Sequence, residues 1–356
     1  MDLQWLAIVP ILSLLMLVHE LGHFITARRA GIVVQEFGFG LPPRIFGVER
    51  NGVIYSLNWI PFGAFVKMLG EEDPTAPGSF ASKSKLTRGI VLAAGSGMNF
   101  LLAGVVFALA YATGFPTPVN VAVVAVSPGS PADTAGVRVG DVIAEMSGRL
   151  VSDVDEFRQV SRDGVGTTIP LRVQRGDQIL DLAISPRANP PEGQGAVGVA
   201  IRPAEVRPVQ YNPIESVYLG FRRAVEIVAF TLAAPFLALR GLMSPDMLRP
   251  IGLPGMAQVT SQAVGAVADT GAIFPILMIT GTFSAGLAVA NMLPLPALDG
   301  GRFFFVIVEA IRGRRISPER ESLVHFVGLV VLIALMIVIS VNDIQNPLPT
   351  VDWGVR

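Results

Sequence analysis

The pentapeptide His19-Glu20-Leu21-Gly22-His23 interrupts an apolar run that starts at Leu3 and reaches about Ile25. Positions i and i+4 of a helix share one face, so both imidazoles can reach a single metal ion. Glu20 sits beside that face, where a carboxylate can polarise a metal-bound water. Ionisable groups inside a membrane-length apolar segment are costly and by default mark a functional site. Two of the chain's three histidines lie in these five residues. A chance motif, or a structural zinc clip in a helix pair, is the plainer alternative. Lipid would not tolerate three such groups unless something compensated them.

The rest of the composition agrees with a membrane setting. Of 356 residues, 51% are hydrophobic and only 15% are charged, with a mean hydropathy of +0.56. That describes an integral membrane protein carrying a soluble insert. A net charge of −1 gives no basis for nucleic-acid binding. The chain has no cysteine, so disulfides and thiolate ligands are excluded and a metal must use His and carboxylate donors. Met1-Asp2-Leu3 lacks the basic start of a signal peptide, and no cleavage site is evident, so the first apolar run is expected to be retained.

Four apolar runs, uncharged except where the motif interrupts the first, approach the roughly 20 residues needed to cross a bilayer: Leu3 to about Ile25, Ile90–Ala112, Thr270–Leu298 and Leu323–Val341. The stretch Ile227–Leu239, bounded by Glu226 and Arg240 and holding Pro235, is shorter and is expected to be an interfacial amphipathic helix. Arg28, Arg29, Arg44, Arg50, Lys67, Lys83, Lys85 and Arg88 fall between the first two runs. Arg302, Arg312, Arg314, Arg315 and Arg320 fall between the last two. The positive-inside rule puts both loops in the cytoplasm and residues 113–269 outside.

The first loop reads as β-hairpins, with short β-type runs at 53–61 and 63–68 divided by Gly, Pro and Asn51-Gly52. It is apolar enough to dip into the membrane face, and a small soluble sheet is the alternative. Between about Val119 and Pro203, strands near 121–126, 169–173 and 179–184 alternate with helices ending at Ala135 and spanning 154–160. This order, with the Ser-Pro-Ala…Ala-Gly-Val…Gly-Asp-Val-Ile run, resembles a PDZ domain. Such a domain implies capture of peptide ends by strand addition; a spacer that binds nothing is the alternative.

Catalytic zinc takes three protein ligands and an open position. The third candidate is Asp299, at the end of Asn291-Met292-Leu293-Pro294-Leu295-Pro296-Ala297-Leu298-Asp299-Gly300-Gly301, where two prolines break a helix and two glycines close it. A helix-capping aspartate is the alternative. The first span runs inward, leaving His19 and His23 near its cytoplasmic end. The third span must also run inward to bring Asp299 to that level, which holds only if Ile227–Leu239 does not cross by itself.

These features together resemble the site-2 protease family of intramembrane zinc metalloproteases, closest to its regulator-of-sigma-E branch. The resemblance rests on His19-Glu20-Leu21-Gly22-His23, the Phe37-Gly38-Phe39-Gly40 loop with Gly63-Ala64-Phe65-Val66-Lys67-Met68, the PDZ-like insert and Asn291…Leu298-Asp299-Gly300. It implies a polytopic α-helical membrane protein of about four transmembrane helices, with a membrane-associated β-hairpin loop and an inserted extracytoplasmic α/β PDZ domain. The expected partition is a first span at 1–30, a membrane-reentrant β-loop at 31–89 and a second span at 90–117. A PDZ domain at 118–204 and interfacial helices at 205–268 follow, then a third segment at 269–301, a cytoplasmic loop at 302–321 and a fourth span with tail at 322–356.

The resemblance also implies that His19, His23 and Asp299 bind Zn2+ and that Glu20 is the catalytic acid/base. Asn99, Asn291, Pro294 and Asn58 become substrate-binding candidates, although a buried asparagine could equally join helices. Ser96 stands where the family has proline. The implied substrate is the transmembrane helix of a single-span protein already cut outside, such as an anti-sigma factor or a signal-peptide remnant. It would be cleaved near the cytoplasmic side of a bacterial inner membrane, with lipid around the protease and a peptide end on the PDZ domain. A non-proteolytic scaffold and a metal transporter are the rival classes, and neither needs Glu20. His325, alone at the start of the fourth run, is expected to be an interfacial helix residue rather than a ligand.

Overall fold

The computed structural model describes residues 3–70, 76–191, 193–244, 249–314 and 316–354. Met1, Asp2 and Arg315, used above in the signal-peptide and charge arguments, lie outside them. The chain forms two compact units, Met1–Gly114 with Gln210–Trp353, and Phe115–Val209 with Gly354–Arg356.

In the first unit a 3-10 turn (Leu3–Ala7) leads into α1 (Ile8–Arg29), with Pro10 in the first turn, where its missing N–H costs no hydrogen bond. Helix α2 (Lys85–Ala112) starts at Ser84, whose hydroxyl accepts from Thr87 N–H at 3.1 Å, and runs unbroken through Ser96. It is the hub of the unit, packing against α1, α5 (Pro213–Leu239), α7 (Phe274–Met292) and α8 (Asp299–Arg312). The remaining helices are α6 (Leu253–Thr270) and α9 (Pro318–Gln345). Among the described residues four helices, within Leu3–Arg29, Lys85–Ala112, Phe274–Met292 and Glu319–Gln345, are long and apolar enough to cross a bilayer.

Three expectations change. The third apolar run is not helical to its end: its membrane-length helix is α7, and Leu293–Leu298 is a loop that separates α7 from α8. Gly300 and Gly301 therefore open α8 rather than close α7. A Cβ on either would collide with the carbonyl oxygen of Leu293 or of Leu295. The stretch Ile227–Leu239 is not a separate surface helix but the second half of the 27-residue α5. Gly220 of α5 packs on Gly104 and Ala108 of α2, and Ile227 and Val228 join Ala103, Phe107 and Ala285 in one apolar cluster. Glu226, which seemed to start it, is paired within α5, accepting from Arg222 Nε at 2.8 Å, and so does not break the helix, whereas Arg240 does cap its end.

Strands β1 (Val34–Arg50) and β2 (Val53–Met68) fold back on themselves. Residues 36–39 of β1 pair with both 54–57 and 64–67 of β2, while 44–50 pair with 53–58. Residues 64–68 therefore form an edge, and β2 packs along α1, where Ser13 Oγ donates to the Pro61 carbonyl at 3.2 Å. Leu57, Trp59, Ile60, Ile45 and Phe46 are exposed on this sheet.

The second unit is an antiparallel sheet in the order β7-β6-β4-β3-β8, with β5 (Arg149–Leu150) on β4. Its strands are β3 (Phe115–Val126), β4 (Val142–Met146), β6 (Ile169–Arg175), β7 (Gln178–Ile184) and β8 (Val199–Val209). Helices α3 (Pro131–Thr134) and α4 (Val154–Asp163) complete it around Val121, Ile143, Met146, Phe157, Leu171 and Val173. Strand β8 was not legible in the sequence: it holds Pro203 and Pro208, which only an edge strand tolerates.

Asp141 is fully buried in this unit and accepts from Arg175 Nε at 2.7 Å and Nη2 at 2.8 Å, and from Arg138 N–H at 2.8 Å. Burial pushes its carboxyl pKa up, but the Arg175 fork and the Arg138 amide outweigh that and hold it below the ordinary range. A depressed carboxyl stabilises the fold above its unfolded pKa of about 3.9, and that stability is lost as pH falls through the folded value. Asp141→Asn is expected to weaken the unit by about 1.5–3 kcal/mol at neutral pH and to flatten its acid sensitivity. Hydrogen exchange of the β4 and β6 amides in the whole protein reads this. Equal protection in both proteins would remove the claim.

Candidate metal centre

Most buried positions of α1 follow a three- or four-residue repeat, Ile8, Leu12, Leu15, His19, His23 and Ala27, with Ser13 and Gly22 beside them on the same stripe. The packing that seats the helix thus turns both imidazoles inward, leaving His19 7% and His23 5% exposed. The rings meet edge to face with centroids 4.8 Å apart and their Nε2 atoms 3.1 Å apart. Asp299 Oδ2 lies 2.9 Å from His19 Nε2 and 3.1 Å from His23 Nε2. The N-cap residue of α8 is Leu298, and the Asp299 carboxylate turns to the histidines rather than to its own helix. The helix-capping alternative is thereby set aside.

Three features test whether this donor set fits zinc. Ligands about 2.0–2.1 Å from a tetrahedral zinc stand roughly 3.3–3.4 Å apart, so three donors at 2.9–3.1 Å need only a small spread to admit the ion. His23 Nδ1 donates to the Val91 carbonyl at 2.7 Å, which leaves the lone pair on Nε2, the tautomer a metal requires. Gly95 of α2 keeps the space behind the rings open, since a Cβ there would lie 2.5 Å from His23 Nε2 and 2.6 Å from His19 Nε2. The residues fit the ion.

Around this core, Glu20 Oε2 accepts from the Val66 N–H of β2 at 3.0 Å. The side-chain amides of Asn99 and Asn291 each stand 3.4 Å from His19 Nδ1. Turned to present its oxygen, either amide would accept from Nδ1–H and free Nε2 for the metal. Asn99 is fully buried on α2, and its backbone carbonyl accepts from Ser284 Oγ of α7 at 2.7 Å.

The family model for peptidase family M50 matches residues 7–335. The chain belongs to peptidase family M50. A Clostridium perfringens protein provisionally named a zinc metalloprotease is 34% identical, over 94% of this chain and 97% of that one. The zinc metalloprotease RasP of Oceanobacillus iheyensis is 28% identical, over 96% and 98%. RasP of Geobacillus kaustophilus is 25% identical, over 96% and 97%. This M50 chain is a zinc metalloprotease of the site-2 protease type, which removes the scaffold and transporter alternatives.

Of the other residues singled out in the sequence, Asn58 of the M50 chain is buried inside the hairpin. Its amide donates to the carbonyls of Phe39 at 3.1 Å and Gly40 at 3.3 Å. Pro294 is exposed in the Leu293–Leu298 loop. Sequence reasoning missed the Val66 amide, the Val91 carbonyl and Gly95. The first two are main-chain groups with no residue signature, and Gly95 looked like one small residue among several on α2.

Proposed function

We propose that this M50 protein cleaves the transmembrane segments of single-span proteins, near the cytoplasmic face of a bacterial inner membrane, after a first cut outside. The observation that carries the reading is the Val66–Glu20 bond. It puts the edge of a sheet, Ala64–Met68, beside the glutamate of a metal-ligand cluster on a membrane-length helix.

In this reading His19, His23 and Asp299 hold the zinc, which supplies Lewis-acid activation of the scissile carbonyl and the attacking water. Glu20 is the acid/base. With Oε2 engaged by Val66 N–H, its other oxygen, Oε1, takes the proton and passes it to the leaving amine nitrogen. A helical substrate keeps its amides in internal hydrogen bonds and must unwind first. Residues 64–68 form the sheet edge beside the site, and pairing of the unwound segment with the groups there that Glu20 does not take would hold its backbone against the site. Asn99 and Asn291 orient His19 and, with Pro294 and Asn58, line or brace the substrate path.

The second unit is read as the extracytoplasmic PDZ domain. A groove of about 440 Å³ runs between α4 and the β8 edge, lined by Phe157, Arg158, Ser161, Arg162 and residues 195–201. Its two arginines suit the carboxylate of a freshly cut chain end.

Purified protein with zinc, in lipid vesicles, should cut a single-span substrate with a trimmed outer domain inside its apolar segment, and the intact substrate more slowly. Mass spectrometry of the products locates the bond. Cuts confined to water-exposed segments would end the intramembrane reading. A free peptide copying the trimmed end should compete; without competition, the second unit acts by size exclusion alone.

A further inference from the structure

The third histidine holds the loop that delivers Asp299. His325 lies in the second turn of α9, and its Nδ1 accepts the backbone N–H of Ala297 at 2.9 Å. Ala297 is two residues before Asp299 and has φ +72°, a left-handed conformation that a residue with a Cβ avoids. One turn along α9, Gly328 leaves the space that Pro296 fills, since a Cβ there would overlap Pro296 Cβ. Positions 325 and 328 share a helix face, so α9 grips two consecutive loop residues, one by a hydrogen bond and one by shape. The His325 ring also packs on Phe305 of α8, with centroids 5.5 Å apart. Nothing else in α9 is organised around burial: among its described residues only Asp343 is buried, near the other end.

On the other side of the loop, Gly300 and Gly301 press against the carbonyls of Leu293 and Leu295. The loop is therefore clamped between the start of α8 and the start of α9. Its strained residue is the one that receives the His325 bond.

We propose that His325 is a positioning residue for the metal centre: by accepting the Ala297 N–H it fixes the left-handed turn that sets Asp299 against His19 and His23. The inference rests on Asp299 being a zinc ligand.

The test is zinc affinity, measured by chelator competition on the full-length detergent-solubilised protein. His325→Phe keeps a ring on Phe305 but removes the acceptor, and is expected to weaken zinc about tenfold. His325→Asn, whose Oδ1 can take the place of Nδ1, should stay within about twofold of wild type. Adding Ala297→Gly to His325→Phe should restore affinity, because glycine adopts the left-handed turn without help. A role in α9 packing alone would not be rescued by a glycine in the loop. Wild-type affinity in His325→Phe, or no rescue by Ala297→Gly, overturns the proposal. Wild-type affinity in Asp299→Ala would instead overturn the ligand assignment on which it rests. Should His325→Phe not fold, hydrogen exchange in the unaltered protein decides. The Ala297 amide, on an exposed residue, should be protected, and exchange at the rate of a free loop amide overturns the inference.

Discussion

Glu20→Gln is expected to slow cleavage of a transmembrane substrate by about 10²–10⁴-fold while zinc stays bound. The glutamine amide is nearly isosteric, and its oxygen can still accept the Val66 N–H that meets the carboxylate at 3.0 Å. The hairpin therefore keeps its attachment to α1. The three converging donors, His19 Nε2, His23 Nε2 and Asp299 Oδ2, are untouched. What disappears is an oxygen able to carry a proton between the water and the leaving nitrogen. Zinc content by elemental analysis, set beside single-turnover cleavage in vesicles, separates the two effects. Cleavage at the wild-type rate would remove Glu20 from the chemistry.

Gly95→Ala is expected to lower zinc affinity by about 10–100-fold and activity with it. In a helix interior alanine is favoured over glycine by about 1 kcal/mol, so α2 itself gains. The added methyl would stand 2.5 Å from His23 Nε2 and 2.6 Å from both Cε1 and Nε2 of His19, well inside van der Waals contact. The rings cannot retreat easily. His23 is held by the Val91 carbonyl, and α1 cannot slide away while Gly22 is packed on the Ala94 carbonyl. Gly97→Ala supplies the control, because no atom lies within 4 Å of a Cβ built there. Equal zinc affinity in the two variants would show that the space behind the histidines is not what admits the metal.

What could be read from the residues follows from what helical periodicity and chain hydropathy encode. The i, i+4 spacing of His19 and His23 and the lengths of the four apolar runs are properties of single segments, and both appear in the structure as α1 and the four membrane-length helices. Asp299 was singled out from the proline- and glycine-rich end of the third run, and the topological condition that this run turn inward served as a check on it.

Features that depend on two segments at once were less legible. The double pairing of residues 36–39 needs a register that neither strand specifies. Helix α5 was cut short because Glu226 looked like its start. The Arg222–Glu226 pair neutralises the charges, and Pro235 is carried inside the helix. His325 was assigned to the interface because nothing near it in sequence marks the Ala297 turn, 28 residues away.

The partners of the two central side chains are main-chain atoms, an N–H at Val66 for Glu20 and a C=O at Val91 for His23. Every amino acid supplies a carbonyl, and every one but proline supplies an amide proton. Positions 66 and 91 can therefore drift in side chain, within what packing allows, while the support they give is inherited unchanged. A short signature of histidines, glutamate and aspartate can then persist in a family whose other residues diverge widely, because much of the scaffolding that aims it is carried by the backbone itself.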